Sequence, residues 1–366
     1  MLVQRSLLRS CLTRFLSPTR AMSTNLPESK IPIFTTVAEM RKWRSLAFAK
    51  NQSVGFVATM GALHEGHMTL VTRSLRENDL TVLSIFVNPA QFAPHEDLAT
   101  YPRTLPSDLE LLSEQVRPVP TTSNHAVSAS PTPETHVRTP LAVFLPSVPE
   151  MYPSGISQDR SVQRGTFVEI AGYGSEMEGK SRPGFFRGVA TVVTKLFNIV
   201  QPTHTYFGQK DIQQALLLRR MCRDLLLSHP TPENLHIVPT MRDSADHLAL
   251  SSRNAYLSAA ERPFATVLHR ALSAAQTAWD AGEAKGECLR KAAALVESIQ
   301  ENAVKEGVVV KMDYVEMNGA EEFEVLGDKE VKSGRGGVLL SGAVWVGKTR
   351  LIDNFVLGDA NRTIVC

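Results

Sequence analysis

From residue 31 onward, apolar runs of strand length alternate with helical patterns. Residues 53–58 (SVGFVA) and 80–87 (LTVLSIFV) are apolar at nearly every position, as in strands covered on both faces. Shorter strands are expected at 203–207 and 235–238. Residues 36–50, 66–77, 188–200 and 212–228 repeat apolar side chains at helical spacing, the first opened by Thr36, which can cap it. Strand–helix alternation of this kind predicts an α/β fold: a Rossmann-like parallel sheet with helices on both faces. The pattern changes near Met241. Residues 258–306 are rich in Ala, Leu, Glu and Lys and predict two helices broken near Gly282. Strands at 311–316, 337–346 and 350–355 then complete a smaller α+β C-terminal domain. The expected division is an extension at 1–30, a nucleotide- and substrate-binding domain at 31–240 and a second domain at 241–366. Within the first, residues 117–141 are too rich in Pro, Ser and Thr to pack, and predict a disordered surface insertion.

Charge and composition narrow the possible chemistry. With 39 Lys+Arg against 37 Asp+Glu the chain has no global electrostatic case for nucleic acid, and no local basic stripe or reading module supplies one. No apolar run approaches the length of a membrane span, so no membrane partner is expected. Cys11, Cys222, Cys288 and Cys366 lie far apart, which suggests neither a zinc knuckle nor a disulfide framework. Arg5, Arg9, Arg14 and Arg20 precede the first acid, Glu28, and Leu8, Cys11, Leu12, Phe15 and Leu16 recur at helical spacing. That pattern reads as a mitochondrial presequence and predicts a matrix location; a start at Met22 would make the protein cytoplasmic instead.

The densest polar cluster is Met60-Gly61-Ala62-Leu63-His64-Glu65-Gly66-His67, between a buried strand and a helix start. In an open α/β sheet, ligands bind beyond the carboxyl ends of the strands, where a helix N-terminus offers free N–H groups to phosphate. His64 and His67, three residues apart, can both face one phosphate. The spacing does not fit a zincin helix, which places its histidines four apart.

Three further polar clusters follow strands: Asn88 with Gln91; Gly208-Gln209-Lys210-Asp211 with Gln214; and Met241 with Leu250-Ser251-Ser252-Arg253. Lys210 and Arg253 can balance phosphate charge, and Asp211 can cap the following helix or bind ribose. Jointly they argue for one nucleotide site. One motif misleads: the segment 342–349 (GAVWVGKT) satisfies the P-loop pattern, but Trp345 between valines suits a strand, and Gly347-Lys348 a hairpin turn. Gly172, Gly174 and Gly179 have the wrong spacing for a dinucleotide fingerprint.

Taken together, VGFVATMGALHEGHMTLV, SIFVNPAQF, YPRT, EGKSRPGFFRGVATVVTKLFNIVQP, YFGQKDIQQ and LALSSRNAYLS resemble the pantoate–β-alanine ligase (pantothenate synthetase) family of the HxGH nucleotidyltransferase-like superfamily. The resemblance implies ATP-dependent condensation of (R)-pantoate with β-alanine through pantoyl adenylate, releasing pyrophosphate and AMP. It implies ATP as substrate with Mg²⁺, and a homodimer through the larger domain. It assigns the stretch from Met60 through Gly61, Ala62, Leu63, His64, Glu65 and Gly66 to His67 to ATP, with His67 as proton donor and His64 on phosphate. Gly208, Gln209, Lys210 and Asp211 would bind the nucleotide, Met241 the adenine or ribose, and Leu250, Ser251, Ser252 and Arg253 the phosphates. Asn88, Gln91, Gln214 and Arg182 would hold the acyl substrate, with Gln91 also near β-alanine, and Asp108 would help place Mg²⁺. Three departures stand out: Phe185 where the family often has His, Ser107 where some members have an acid, and the insertion between Val116 and Ala142, which compact bacterial forms lack. Two rival readings keep part of this picture: nucleotidyl transfer to another acceptor, and a degenerate nucleotide-binding module.

Overall fold

The computed structural model describes residues 26–94, 96–114, 117–118, 137–138, 142–332 and 336–358. The presequence-like segment lies outside them. So does most of the insertion, whose ends pair as a short antiparallel ladder, Arg117 with Arg138 and Pro118 with Val137.

A six-stranded, all-parallel sheet forms the larger part of the fold. Its strands are β1 (Ile33–Phe34), β2 (Val54–Thr59), β3 (Leu80–Ile85), β4 (Ala142–Phe144), β5 (His204–Gly208) and β6 (Leu235–Val238), in spatial order β1-β4-β3-β2-β5-β6. Helices α1 (Val37–Ala49), α2 (Glu65–Glu77), α3 (Leu105–Glu114), α4 (Phe185–Val200) and α5 (Ile212–Asp224) cover it. Alternation along β2 sets the layers. Val54 and Phe56 pack under α1, α4 and α5, while Val57 faces α2 and α3 through Val71, Leu75, Leu109 and Leu112. Local signals place the elements: Thr36 caps α1 in a reciprocal pair with Glu39, its Oγ1 accepting the Glu39 N–H at 3.2 Å.

The sequence pattern missed β4 and α3. β4 has three residues, too few to display a period, yet all three are fully buried and β4 joins β1 to β3. After the larger sheet, α6 (Val267–Asp280) and α7 (Lys285–Lys305) pack on an antiparallel sheet of β7 (Val310–Gly319), β8 (Val338–Val346) and β9 (Thr349–Leu357). The P-loop-like segment is the β8–β9 hairpin: Val346 pairs with Thr349 and Gly347 turns the chain at φ +57°. Among the described residues, no helix is long and apolar enough to cross a membrane.

Candidate active site

The chain leaves β2 toward β3 and β4, then returns to β5 on the other side. This reversal opens a crevice at the carboxyl ends of β2 and β5, where a ligand can enter between diverging connections. A pocket of ≈ 240 Å³ lies there, and it adjoins a larger cavity of ≈ 850 Å³ with which it shares Arg182, Lys210, Asp211, Ser251 and Arg253.

The loop from β2 to α2 is held in an unusual conformation. Gly61 and Ala62 are both left-handed, at φ +84° and +51°. Glycine adopts this freely, but alanine does so at a cost of about 1–2 kcal/mol. The compensation comes from Asp108 on α3. Its Oδ2 accepts the Ala62 N–H at 3.1 Å, and its Oδ1 accepts the Leu63 N–H at 2.9 Å and the Thr104 hydroxyl at 3.0 Å. Asp108, expected from sequence to help place magnesium, is seen here bracing the loop: it is buried, both carboxylate oxygens accept hydrogen bonds, and it stands behind the loop rather than in the pocket wall. Among the described residues, no group of three or more His, Cys, Asp or Glu is placed to hold a metal ion.

The two histidines lock one another. His64 caps α2, its Nδ1 accepting the Gly66 N–H at 3.1 Å, while His67 Nδ1 accepts the His64 N–H at 3.3 Å. An Nδ1 that accepts a backbone N–H leaves Nε2 as the protonated nitrogen of a neutral ring. Burial, then the positive charge of Lys210, lowers His64 to about 4; burial, then His64 and Lys210, lowers His67 to about 3. Burial and the neighbouring His64 and Lys210 charges favour the neutral form of His67, whose Nε2–H is then available as a hydrogen-bond donor. Of the first helical N–H groups, those of Gly66 and His67 are taken by His64, and the imidazole N–H groups add donors that this turn can offer an anion.

Around the histidines the pocket gathers Met60, Gly66, Asn88, Gln91, Arg182, Gly208, Lys210, Asp211, Gln214, Met241, Leu250, Ser251, Ser252 and Arg253. Gly61, Ala62, Leu63, Glu65 and Gln209 do not line it, and serve as its backbone frame. Asn88 is a brace more than a contact. Its Oδ1 accepts the Tyr152 hydroxyl at 2.7 Å, and its Nδ2 donates to Gln91 Oε1 and the Gly188 carbonyl, each at 3.1 Å. Gln91 in turn donates to Met60 Sδ at 3.1 Å, which sets its amide against the loop. Asp211 does not cap α5; its carboxylate stands 3.8 Å from Lys210 Nζ. Ser252 donates to the Ala62 carbonyl at 3.0 Å, tying the 251–256 turn to the strained loop.

Sequence reading missed several contributors. Tyr101 and an apolar wall of Val189, Val193 and Phe207 line the pocket, and Asn354 reaches in from β9 to donate to the Gln209 and Lys210 carbonyls at 2.9 Å. Gly188 carries another constraint that no local signal marks. A Cβ there would lie 2.2 Å from the Ala90 carbonyl oxygen and 2.8 Å from Gln91 Cα, both backbone atoms that cannot swing away. Gly188→Ala should therefore push α4 off the turn bearing Asn88 and Gln91, costing about 1–3 kcal/mol and raising the acyl-substrate KM; unchanged melting and KM would show the helix accommodates the methyl.

Comparison with known proteins agrees with this architecture. Residues 32–356 match the family model described as Pantoate-beta-alanine ligase. The chain is 43% identical over 325 residues to pantothenate synthetases of Herpetosiphon aurantiacus and Moorella thermoacetica, spanning 89% of this chain and 99% and 98% of theirs. The crystal structure of pantothenate synthetase from Thermus thermophilus aligns at TM-score 0.70 and 38% identity, over 89% of this chain and 99% of that one. That of Francisella tularensis pantoate-beta-alanine ligase, complexed with beta-gamma ATP and beta-alanine, aligns at TM-score 0.62 and 28% identity, over 89% and 97%. The expected mitochondrial-matrix location is corrected by the same finding: these relatives are bacterial, and bacteria have no matrix to import into. On a family match that runs from β1 into β9, the chain belongs to the pantoate-beta-alanine ligase family.

Proposed function

We propose that this one pocket carries out both halves of the family's reaction with the residues described above. The enzyme condenses pantoate with β-alanine at the expense of ATP. In the first half, a pantoate carboxylate oxygen bonds to the α-phosphorus while the bond to the bridging oxygen breaks and pyrophosphate leaves. In the second, the β-alanine amine attacks the acyl carbon, AMP leaves with the electron pair, and the amine loses a proton. Neither half needs a protein nucleophile; both need charge neutralisation and alignment.

The observation that carries the assignment is convergence: the His64 and His67 turn, Lys210 and Arg253 meet the amides of Gln91 and Gln214 in a single pocket. In this reading Lys210 and Arg253 hold phosphates, and His64 and His67 donate Nε2–H bonds to oxygens that gain charge in the transition state. Leu250, Ser251 and Ser252 cover the phosphate tail, and Met241 meets the base or ribose. Gln91, Gln214 and Arg182 bind the acyl substrate over the wall of Val189 and Val193. Mg²⁺ belongs here as a companion of the ATP phosphates, neutralising their charge, because Asp108 is committed to the loop. The division at 240/241 is part of the same proposal, supported by the end of the parallel sheet at Val238 and the separate core under β7–β9.

The test is pantoate-dependent exchange of labelled pyrophosphate into ATP, with Mg²⁺ and without β-alanine. Exchange that requires pantoate is the expected result; pantothenate formation without any exchange under these conditions would contradict the two-step reading. We also propose a homodimer through the larger domain, supported by the family resemblance and by exposed Leu46, Phe48, Leu225 and Leu226 at the ends of α1 and α5, where Phe48 stands 6.3 Å from the His229 ring. Light scattering should give twice the chain mass; a monomer at assay concentration would contradict it.

A further inference from the structure

Both pocket arginines are already held by carboxylates of one dipeptide. Arg182 donates from Nε to Glu96 Oε1 at 2.7 Å and from Nη2 to Glu96 Oε2 at 2.8 Å. Arg253 donates from Nε to Asp97 Oδ2 at 3.3 Å and from Nη2 to Asp97 Oδ1 at 3.1 Å. The two arginines come from different walls, one just before α4 and the other in the turn after β6, and neighbouring residues of one loop reach both. Each carboxylate takes the same edge of its guanidinium. The Nη1 end is left over in both, and in the described residues it has no partner on Arg253 or Arg182.

The described residues beside Glu96 have restraints of their own. Glu96 Oε2 accepts the Ala93 N–H at 2.9 Å, Gln158 donates to the Ala93 carbonyl at 3.1 Å, and Phe92 packs edge-on to buried Tyr101. Arg182 has further restraints: Nη2 donates to the Gln91 carbonyl at 3.3 Å, and its guanidinium lies 3.8 Å above the ring of Phe185, the residue that departs from the family's usual histidine. An arginine gripped along one edge keeps its plane and presents the remaining donors in a set direction. A free one spends binding energy on ordering its rotamers each time a ligand arrives.

We propose that Glu96 and Asp97 are positioning residues that aim Arg182 and Arg253 at the two anionic substrates, Glu96 serving the acyl carboxylate and Asp97 the ATP phosphates. This rests on the assignment of Arg182 and Arg253 to those substrates made above. A rival role has the opposite sign. If the carboxylates merely occupied the arginines in competition with substrate, removing their charge would tighten binding.

The experiment is steady-state kinetics on Asp97→Asn, Glu96→Gln, Arg253→Ala, Arg182→Ala and the two double alanine variants, with melting curves for each. Asp97→Asn should raise the ATP KM about 10-fold, and Glu96→Gln the pantoate KM similarly, with smaller changes in kcat. Asp97→Ala combined with Arg253→Ala should be no worse than Arg253→Ala alone, because the acid acts only through its arginine. A lowered KM in Asp97→Asn, additive double variants, or a KM for the wrong substrate would each overturn the inference. If Arg253→Ala leaves the ATP KM untouched, the assignment of Arg253 to phosphate fails instead, and the two failures are told apart.

Discussion

In a His67→Ala variant, pantoate-dependent pyrophosphate exchange falls by at least about 10²-fold, while the protein remains folded. The effect is large because, in the mechanism proposed above, the lost group is a fixed donor to an oxygen that gains charge in the transition state. Lys210→Ala should lower exchange to a similar degree by removing the positive charge nearest the two rings. Truncating His67 also frees the His64 N–H, so a modest stability loss of about 1 kcal/mol accompanies it. Exchange at the wild-type rate would remove His67 from the mechanism.

The neutral state of the rings fixes a pH signature. An unfolded chain protonates these histidines as pH falls through about 6.5, whereas the folded rings resist until about 4 for His64 and about 3 for His67. Protons thus accumulate on the unfolded state first. Stability should decline as pH falls from about 6.5 to about 4, the loss being complete only below about 3, and it is fully present above 6.5. His67→Gln should show a shallower decline across that window in denaturation midpoints. The exchange rate should pass through pH 6.5 without a histidine limb; a limb there would mean that a protonated ring takes part.

The second large effect is expected at Asp108. Asp108→Ala leaves the Ala62 and Leu63 N–H groups and the Thr104 hydroxyl without their acceptor, at a cost of about 2–4 kcal/mol. It also releases the left-handed pair at Gly61 and Ala62, which aims the His64 and His67 turn. A displacement of about 1 Å there is worth about 10²-fold in rate. A metal-ligand role predicts a different pattern: unchanged melting temperature with a raised Mg²⁺ requirement. Melting curves and Mg²⁺ titrations of the exchange reaction on the same variant decide between the two.

Much of the fold was legible because its determinants are local. Thr36 and Glu39 close a capping box within four residues, β2 and β3 declare themselves by runs that are apolar at nearly every position, and Gly347-Lys348 betrays a hairpin through the strand chemistry on either side. The residues that the fold gathers in the pocket were recognisable too, as polar clusters that follow strand ends in an α/β pattern. Their roles were not. No sequence signal showed that Asp108 would brace the Ala62 N–H, 46 positions away along the chain, or that Tyr152 and Gly188 would hold the Asn88 amide. The β4 strand, too short to show a period, was fixed by burial between β1 and β3. Sequence by itself determined most of the helices and strands, though not β4 or α3, and which residue types follow the strand ends, because propensity, capping and periodicity act over a turn or two of chain. Only the tertiary structure decided which carboxylate faces which donor, because hydrogen bonds and charges act across a few ångströms of space, whatever the distance along the chain.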